Sequence, residues 1–256
     1  MNLTLTFILF LFAPAIHAKA QELPSCRALS TLWVKSYYAK LNPSWRKAPL
    51  NCDTEPAELT PKERRNVLAA RAAYVLDRTR FSYRPQDISA RPIVSSGRIQ
   101  APPRSMLDWV SRRMDRLVYN ERATYAFAHR NNGVGEVHLP PTDFHMTRPG
   151  ERGIGLAAQL IHEARHLGIP DYGHVACGDT DQYNCDATIS EEFDHGGSHA
   201  VAALWLSWVY KFSHWPRSEK RRAAETVRWV LRTRINDGHA VRNAFSLRYL
   251  GTPLDP

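Results

Sequence analysis

The stretch from Leu160 to His174, L-I-H-E-A-R-H-L-G-I-P-D-Y-G-H, constrains the fold of this chain more than any other. Upstream and through it, Ile154, Ala157, Ala158, Ile161 and Ala164 recur at helical spacing, and Gly168 with Pro170 stops a helix soon after His166. Such a helix has a face of small side chains, so it must lie close against another element. The segment His199 to Phe212, H-A-V-A-A-L-W-L-S-W-V-Y-K-F, is apolar on almost every face and belongs inside the domain. It is the natural partner. The loop between these two helices carries Cys177 and Cys185, which would tie the connection.

On that helix His162 and His166 are four residues apart and share one face, with Glu163 beside them. Two imidazoles at this spacing can hold one zinc ion, and a neighbouring glutamate can take a proton from water on the metal. A random chain of this length contains H-E-x-x-H roughly once in a hundred, so the helical context matters more than the string. A catalytic zinc needs a third protein ligand and a position for water. Here the residues leave alternatives open: His174, Glu191, Glu192, His199 and Asp186 all follow within reach of the loop. His199, Tyr172 and Tyr183 are candidates to stabilise an oxyanion. Asp171, Asp179, Asp181 and Asp186 are candidates to orient a ligand histidine.

The remainder of the chain supports an α+β, mostly helical fold: a small hairpin or sheet before the metal helix and a buried helix after it. The spacing predicts a helix from Cys26 to about Leu41. Thr60-Pro61-Lys62-Glu63 reads as an N-cap, a proline in the first turn and an acidic residue, opening a helix from Pro61 to about Asp77. Pro85 to Pro103 is a proline-rich connection, and Ser105 to Tyr119 a further helix. Ala123 to His129 and Gly135 to Leu139 are short strands joined across Asn131-Asn132-Gly133. A strand there could pair with an extended peptide. His138 and His145 are left out of the ligand set as ordinary polar residues. Ser218 to Ile235 is a final helix, with Ala223, Val227, Val230 and Leu231 on one face, and the tail after Leu250 is expected to be loosely held.

The apolar run from Leu3 to Phe12 followed by A-P-A-I-H-A-K-A resembles a signal peptide, expected to be removed after Ala20 or Ala18. Residues 21–256 would then form a single domain, 21–120 its helical N-terminal part and 121–256 its metal-site part, with no transmembrane segment left. The expected location is the periplasm or the exterior. There the four cysteines should form disulfides, by proximity Cys26 with Cys52 and Cys177 with Cys185. A rival reading makes His174, Cys177 and Cys185 ligands of a structural zinc. The formal charge of +9 favours anionic surroundings, for instance an envelope component. The arginines are scattered and no nucleic-acid-reading motif appears, so no specific nucleic-acid partner is expected.

H-E-A-R-H together with G-H-V-A-C at 173–177, C-D at 185–186 and the small-residue helix opening G-S-H-A-V at 197–201 resembles a group of poorly characterised bacterial envelope proteins. These carry a zincin-like, zinc-peptidase-type site. The resemblance covers roughly residues 135–210. It implies a zincin-like domain and favours His174 as the third ligand beside His162 and His166, with Glu163 catalytic. The chain departs from better known zinc peptidases. The metzincin pattern needs glycine at 169 and histidine at 172, where this chain has Ile169 and Tyr172. A gluzincin would use a later glutamate, Glu191 or Glu192, close to the helix-breaking Gly196-Gly197.

The expected function is an exported zinc-dependent hydrolase acting on protein or peptide. Two alternatives stand beside it: a non-catalytic, metal-containing envelope binding protein with a basic surface, and a zinc hydrolase of cell-wall material.

Overall fold

The computed structural model describes residues 27, 29, 60–87, 91–93, 98–120, 122–140, 153–168, 173–178 and 183–255. The expected signal peptide, most of the helix at 26–41 and the Cys26 to Cys52 pair lie outside the described residues. So do Asp171, Tyr172, Asp179, Asp181 and His145. The described architecture is α+β and about half helical, with six α-helices and a three-stranded sheet.

Helix α1 (Pro61–Arg78) starts where the sequence says it should: Thr60 and Glu63 form a reciprocal capping box, with Pro61 in the first turn. Helix α2 (Met106–Ser111) is capped by Ser105, whose hydroxyl accepts from Asp108 N–H. It is much shorter than the expected 105–119 helix, because Arg116–Tyr119 forms strand β1 instead. Asp115 N–H donates to Gly135 O, delivering the chain into a sheet before another helical turn can form.

Strands β2 (Phe127–Asn131) and β3 (Val134–Leu139) form the expected hairpin, with Asn132 and Gly133 both at positive φ, 50° and 83°. Two consecutive left-handed residues are what a tight two-residue turn requires. The sheet order is β1-β3-β2, with β1 parallel and β2 antiparallel to β3. Because strand side chains alternate, buried Val137 and Leu139 face the core, while Glu136 and His138 point to the opposite face.

The motif helix α3 (Ile154–His166) is buried along most of its length. Its N-cap, Gly153, has φ 101°, and a Cβ there would come within 2.9 Å of the Arg71 backbone. Glycine is therefore required both by backbone conformation and by the close approach of α1. Where a plain loop is expected between 168 and 190, the chain forms a two-stranded ribbon, β4 (Val175–Ala176) with β5 (Tyr183–Cys185), closed by the Cys177–Cys185 disulfide. The rival in which these two cysteines bind zinc is thereby displaced.

Helix α4 (Ser198–Phe212) is buried on nearly all sides, with Trp205 and Trp208 fully enclosed, and packs against both α3 and α5 (Arg217–Thr233). Helix α5 buries Ala223, Ala224, Val227, Val230 and Leu231, the face expected from its spacing. It is not the last helix: α6 (His239–Leu250) follows Gly238 and packs on α4 and α5. Nor does the chain loosen after Leu250. Leu254 is buried in the core, and its N–H donates to Asn243 Oδ1 at 2.8 Å. No helix among the described residues is long and apolar enough to cross a membrane.

Candidate metal centre

One turn of α3 places His162 and His166 together, and the ribbon brings His174 to them. His166 Nε2 lies 3.2 Å from His162 Nε2 and 3.1 Å from His174 Nε2. The three could hold a metal ion. Three ring nitrogens that converge this closely cannot all be protonated on the facing atom, so the arrangement suits a shared cation better than a set of mutual hydrogen bonds. The surroundings of His162 favour its neutral, ligating form. Burial, reinforced by the adjacent imidazoles of His199, His166 and His174, holds His162 well below the usual histidine range.

A fourth imidazole completes the cluster without joining the converging nitrogens. His199, on the first turn of α4, packs 4.3 Å from the His162 ring and stacks 4.7 Å from the His174 ring, centre to centre. Its Nε2 is engaged with Asn184 Oδ1 at 3.2 Å. Burial outweighs the opposing pull of Asp186 and pushes its pKa down to about 3, so it stays neutral. Ser198, its neighbour, lies with its hydroxyl 3.1 Å from His166 Nε2.

Glu163 is 2 % exposed, and its Oε1 accepts from Gln159 Nε2, one turn earlier on α3. Burial raises its pKa from 4.5 to about 8, against the opposing effect of the Gln159 hydrogen bond. A carboxyl poised near neutrality can take up and return a proton at working pH.

Asp186 supports the centre from behind. Its Oδ2 accepts from Ala200 N–H at 2.8 Å in the first turn of α4, and Oδ1 lies 3.4 Å from His174 Nδ1. That second approach falls short of a hydrogen bond, yet sets a carboxylate against the ring nitrogen turned away from the cluster. Its backbone is fixed as well, N–H to Arg234 O and O from Asn236 N–H, so the end of α5 anchors it. Asp186 thus stands behind His174, in the position from which a carboxylate orients a ligating imidazole.

The two glutamates considered as third ligands serve elsewhere. Glu191, 1 % exposed, accepts from Arg248 Nη1 (2.6 Å), Tyr249 OH (3.0 Å) and Ile93 N–H (2.6 Å). Glu192 accepts from Arg98 N–H and lies 2.9 Å from His195 Nδ1. Both therefore have structural partners away from the three histidines.

The arginine of H-E-A-R-H also has a structural task. Buried Arg165 donates from Nε to Gly196 O and from Nη2 to Asp194 O, each at 2.7 Å, holding the 194–196 turn against α3 just before α4 begins. Neither this clamp nor the contributions of Gln159, Asn184 and Ser198 stand out in the sequence. Only Gln159, four residues before Glu163, has a spacing that could reveal its role.

No protein-family model, curated protein or solved structure matches this chain.

Proposed function

We propose that this chain is an exported zinc-dependent hydrolase that cleaves peptide bonds, with His162, His166 and His174 as its zinc ligands and Glu163 as its general base. The observation that carries this reading is the convergence of three imidazoles, with His166 Nε2 3.2 Å from His162 Nε2 on the same helix and 3.1 Å from His174 Nε2 beside the ribbon, next to a buried glutamate on that helix. Tetrahedral zinc with Zn–N bonds of about 2.0–2.1 Å holds its nitrogens roughly 3.3 Å apart, close to that spacing. When bound, zinc would polarise a carbonyl and ease the deprotonation of water.

The chain's own residues do the rest. Glu163 accepts the proton of the attacking water and passes it to the leaving amine, a role suited to a carboxyl held near neutrality. Gln159 fixes one oxygen of that carboxyl. Asp186 orients His174, and His199 walls the cluster with a neutral ring. The peptide reading draws on β2, which lies at the edge of the sheet, with one side unpaired among the described residues. An extended peptide could add there by strand pairing.

The decisive experiment compares hydrolysis of a defined peptide mixture by the zinc-loaded protein and by Glu163→Gln, with metal content measured in both. Loss of cleavage with zinc retained is expected; equal cleavage by the two proteins would refute the assignment.

A further inference from the structure

We infer that the protein has a second divalent-metal site, on the outer face of its sheet, formed by His129, Glu136 and His138. The three lie on the two strands of the hairpin. His129 pairs directly across from Glu136, and His138 follows Glu136 by two residues, so all three share one face. Core-facing Val137 and Leu139 alternate with Glu136 and His138, which puts this group on the sheet face opposite the core. It is thus a separate group from the three histidines of α3 and the ribbon.

The donor atoms converge as a metal site requires. Glu136 Oε2 lies 3.4 Å from His138 Nε2 and 3.7 Å from His129 Nε2, and the three ligand atoms lie within 4.8 Å of one another. Two imidazoles and a carboxylate are a donor set for zinc and its neighbours in the first transition row. The carboxylate is divided between two tasks. Its other oxygen, Oε1, accepts from Arg116 Nη1 at 3.3 Å across the β1–β3 pair, so Oε2 is turned toward the histidines. A ligating carboxylate is usually steadied by such an outer hydrogen bond.

The rings are also held. Phe127, opposite His138 in the register, stacks on it with centroids 4.6 Å apart and planes 6° from parallel. His129 lies 4.9 Å from His138, centre to centre. Glu136 is only 8 % exposed, whereas His129 keeps 42 % of its side chain in solvent. Solvent therefore reaches the group from the His129 side, while the carboxylate sits beneath. A divalent cation shared among the three would balance the charge of the buried carboxylate on the side that Arg116 leaves open.

The test is zinc stoichiometry and affinity measured on full-length protein that has been stripped of metal and titrated with zinc alone. The wild type is expected to bind about two equivalents. His162→Ala/His166→Ala should keep one of them, and His129→Gln/His138→Gln should keep the other. Should the second double variant fold poorly by circular dichroism, His129→Gln alone, at an exposed side chain, carries the test. It is expected to weaken one of the two equivalents by about 10-fold or more. A wild-type stoichiometry that neither His129→Gln nor the double variant changes would overturn the second site and show only a His–Glu–Arg surface network. Zinc that His162→Ala/His166→Ala fails to reduce, but His129→Gln removes, would support the sheet site while refuting the one on α3.

Discussion

The carboxylate of Asp186 fills the space a side chain on Gly197 would need: a Cβ there would lie 2.3 Å from Asp186 Cγ and 2.4–2.6 Å from its oxygens. The backbone of Gly197, at φ −65°, is open to any residue, so the constraint is purely one of close approach. Gly197→Ala must push Asp186 away from Ala200 N–H and from His174. We expect a loss of about 1–3 kcal/mol in chemical denaturation. Zinc affinity should fall with it, by about 10–100-fold, the usual effect of removing a group that steadies a ligand. An alanine variant as stable and as tight for zinc as wild type would show that Asp186 does not position His174.

Replacing Glu163 by glutamine keeps the shape and lets the side-chain carbonyl still accept from Gln159 Nε2. Metal content should be unchanged. If Glu163 is the base, peptide hydrolysis should fall by about 100- to 10,000-fold. The measurement is steady-state turnover at equal zinc occupancy.

The same substitution has a signature in stability that needs no substrate. In the metal-free protein the Glu163 carboxyl is raised from 4.5 to about 8 by burial, so the folded state holds a proton that the unfolded chain has released. Between roughly pH 4.5 and 8 the folded state binds more protons, and this group's contribution to stability falls as pH rises. His199 acts in the opposite sense at lower pH. With its pKa pushed down to about 3, the unfolded state binds more protons from there to the ordinary histidine range, and stability rises with pH. Thermal melts of the metal-free protein should therefore show Glu163→Gln gaining on wild type steadily from pH 5 to 8. A constant difference across that range would show that the carboxyl is not displaced.

Arg165 offers a test of architecture rather than chemistry. Its two bonds to Asp194 O and Gly196 O fix the turn that launches α4. Arg165→Met should retain much of the buried volume but lose both bonds, costing about 2–4 kcal/mol. Peptide hydrolysis per folded, zinc-loaded molecule should change little. A variant of unchanged stability would mean the turn is held by other contacts.

The sequence discloses what is local and periodic. The Thr60 to Glu63 cap, the Asn132-Gly133 turn and the small-residue face of α3 all announce themselves through short-range chemistry. What it conceals depends on partners distant in the chain. Arg116–Tyr119 continues a helical pattern after Ser105 but is captured as a strand by β3, some twenty residues later. Helix α6 starts without a side-chain cap and is only partly apolar, so burial of Phe245, Tyr249 and Leu250 against its neighbours, rather than propensity, sustains it. At the site, the i, i+4 spacing makes His162 and His166 legible. The approach of His174 needs the β4–β5 ribbon, whose two short strands carry no clear pattern. The sheet cluster was readable in principle, since Glu136-Val137-His138 on a strand puts both polar residues on one face. Nothing in the sequence said that His129 would stand opposite until the hairpin register was known.

Substitutions at the α3 site distinguish a histidine from a glutamate as its third ligand. His162→Ala and His174→Ala each remove one of three converging nitrogens, whereas Glu192→Ala removes a carboxylate engaged by Arg98 N–H and His195. Both histidine variants should weaken zinc binding by more than the roughly 10- to 100-fold that loss of a supporting residue costs, and Glu192→Ala should leave it within a few-fold of wild type. His129→Gln/His138→Gln in the same background would remove the sheet site, so that the titration reads one site alone. If Glu192→Ala released zinc as fully as His162→Ala, and His174→Ala did not, the ion would be held in the gluzincin manner. The ribbon would then have to open on metal binding to bring the glutamate across from its present partners.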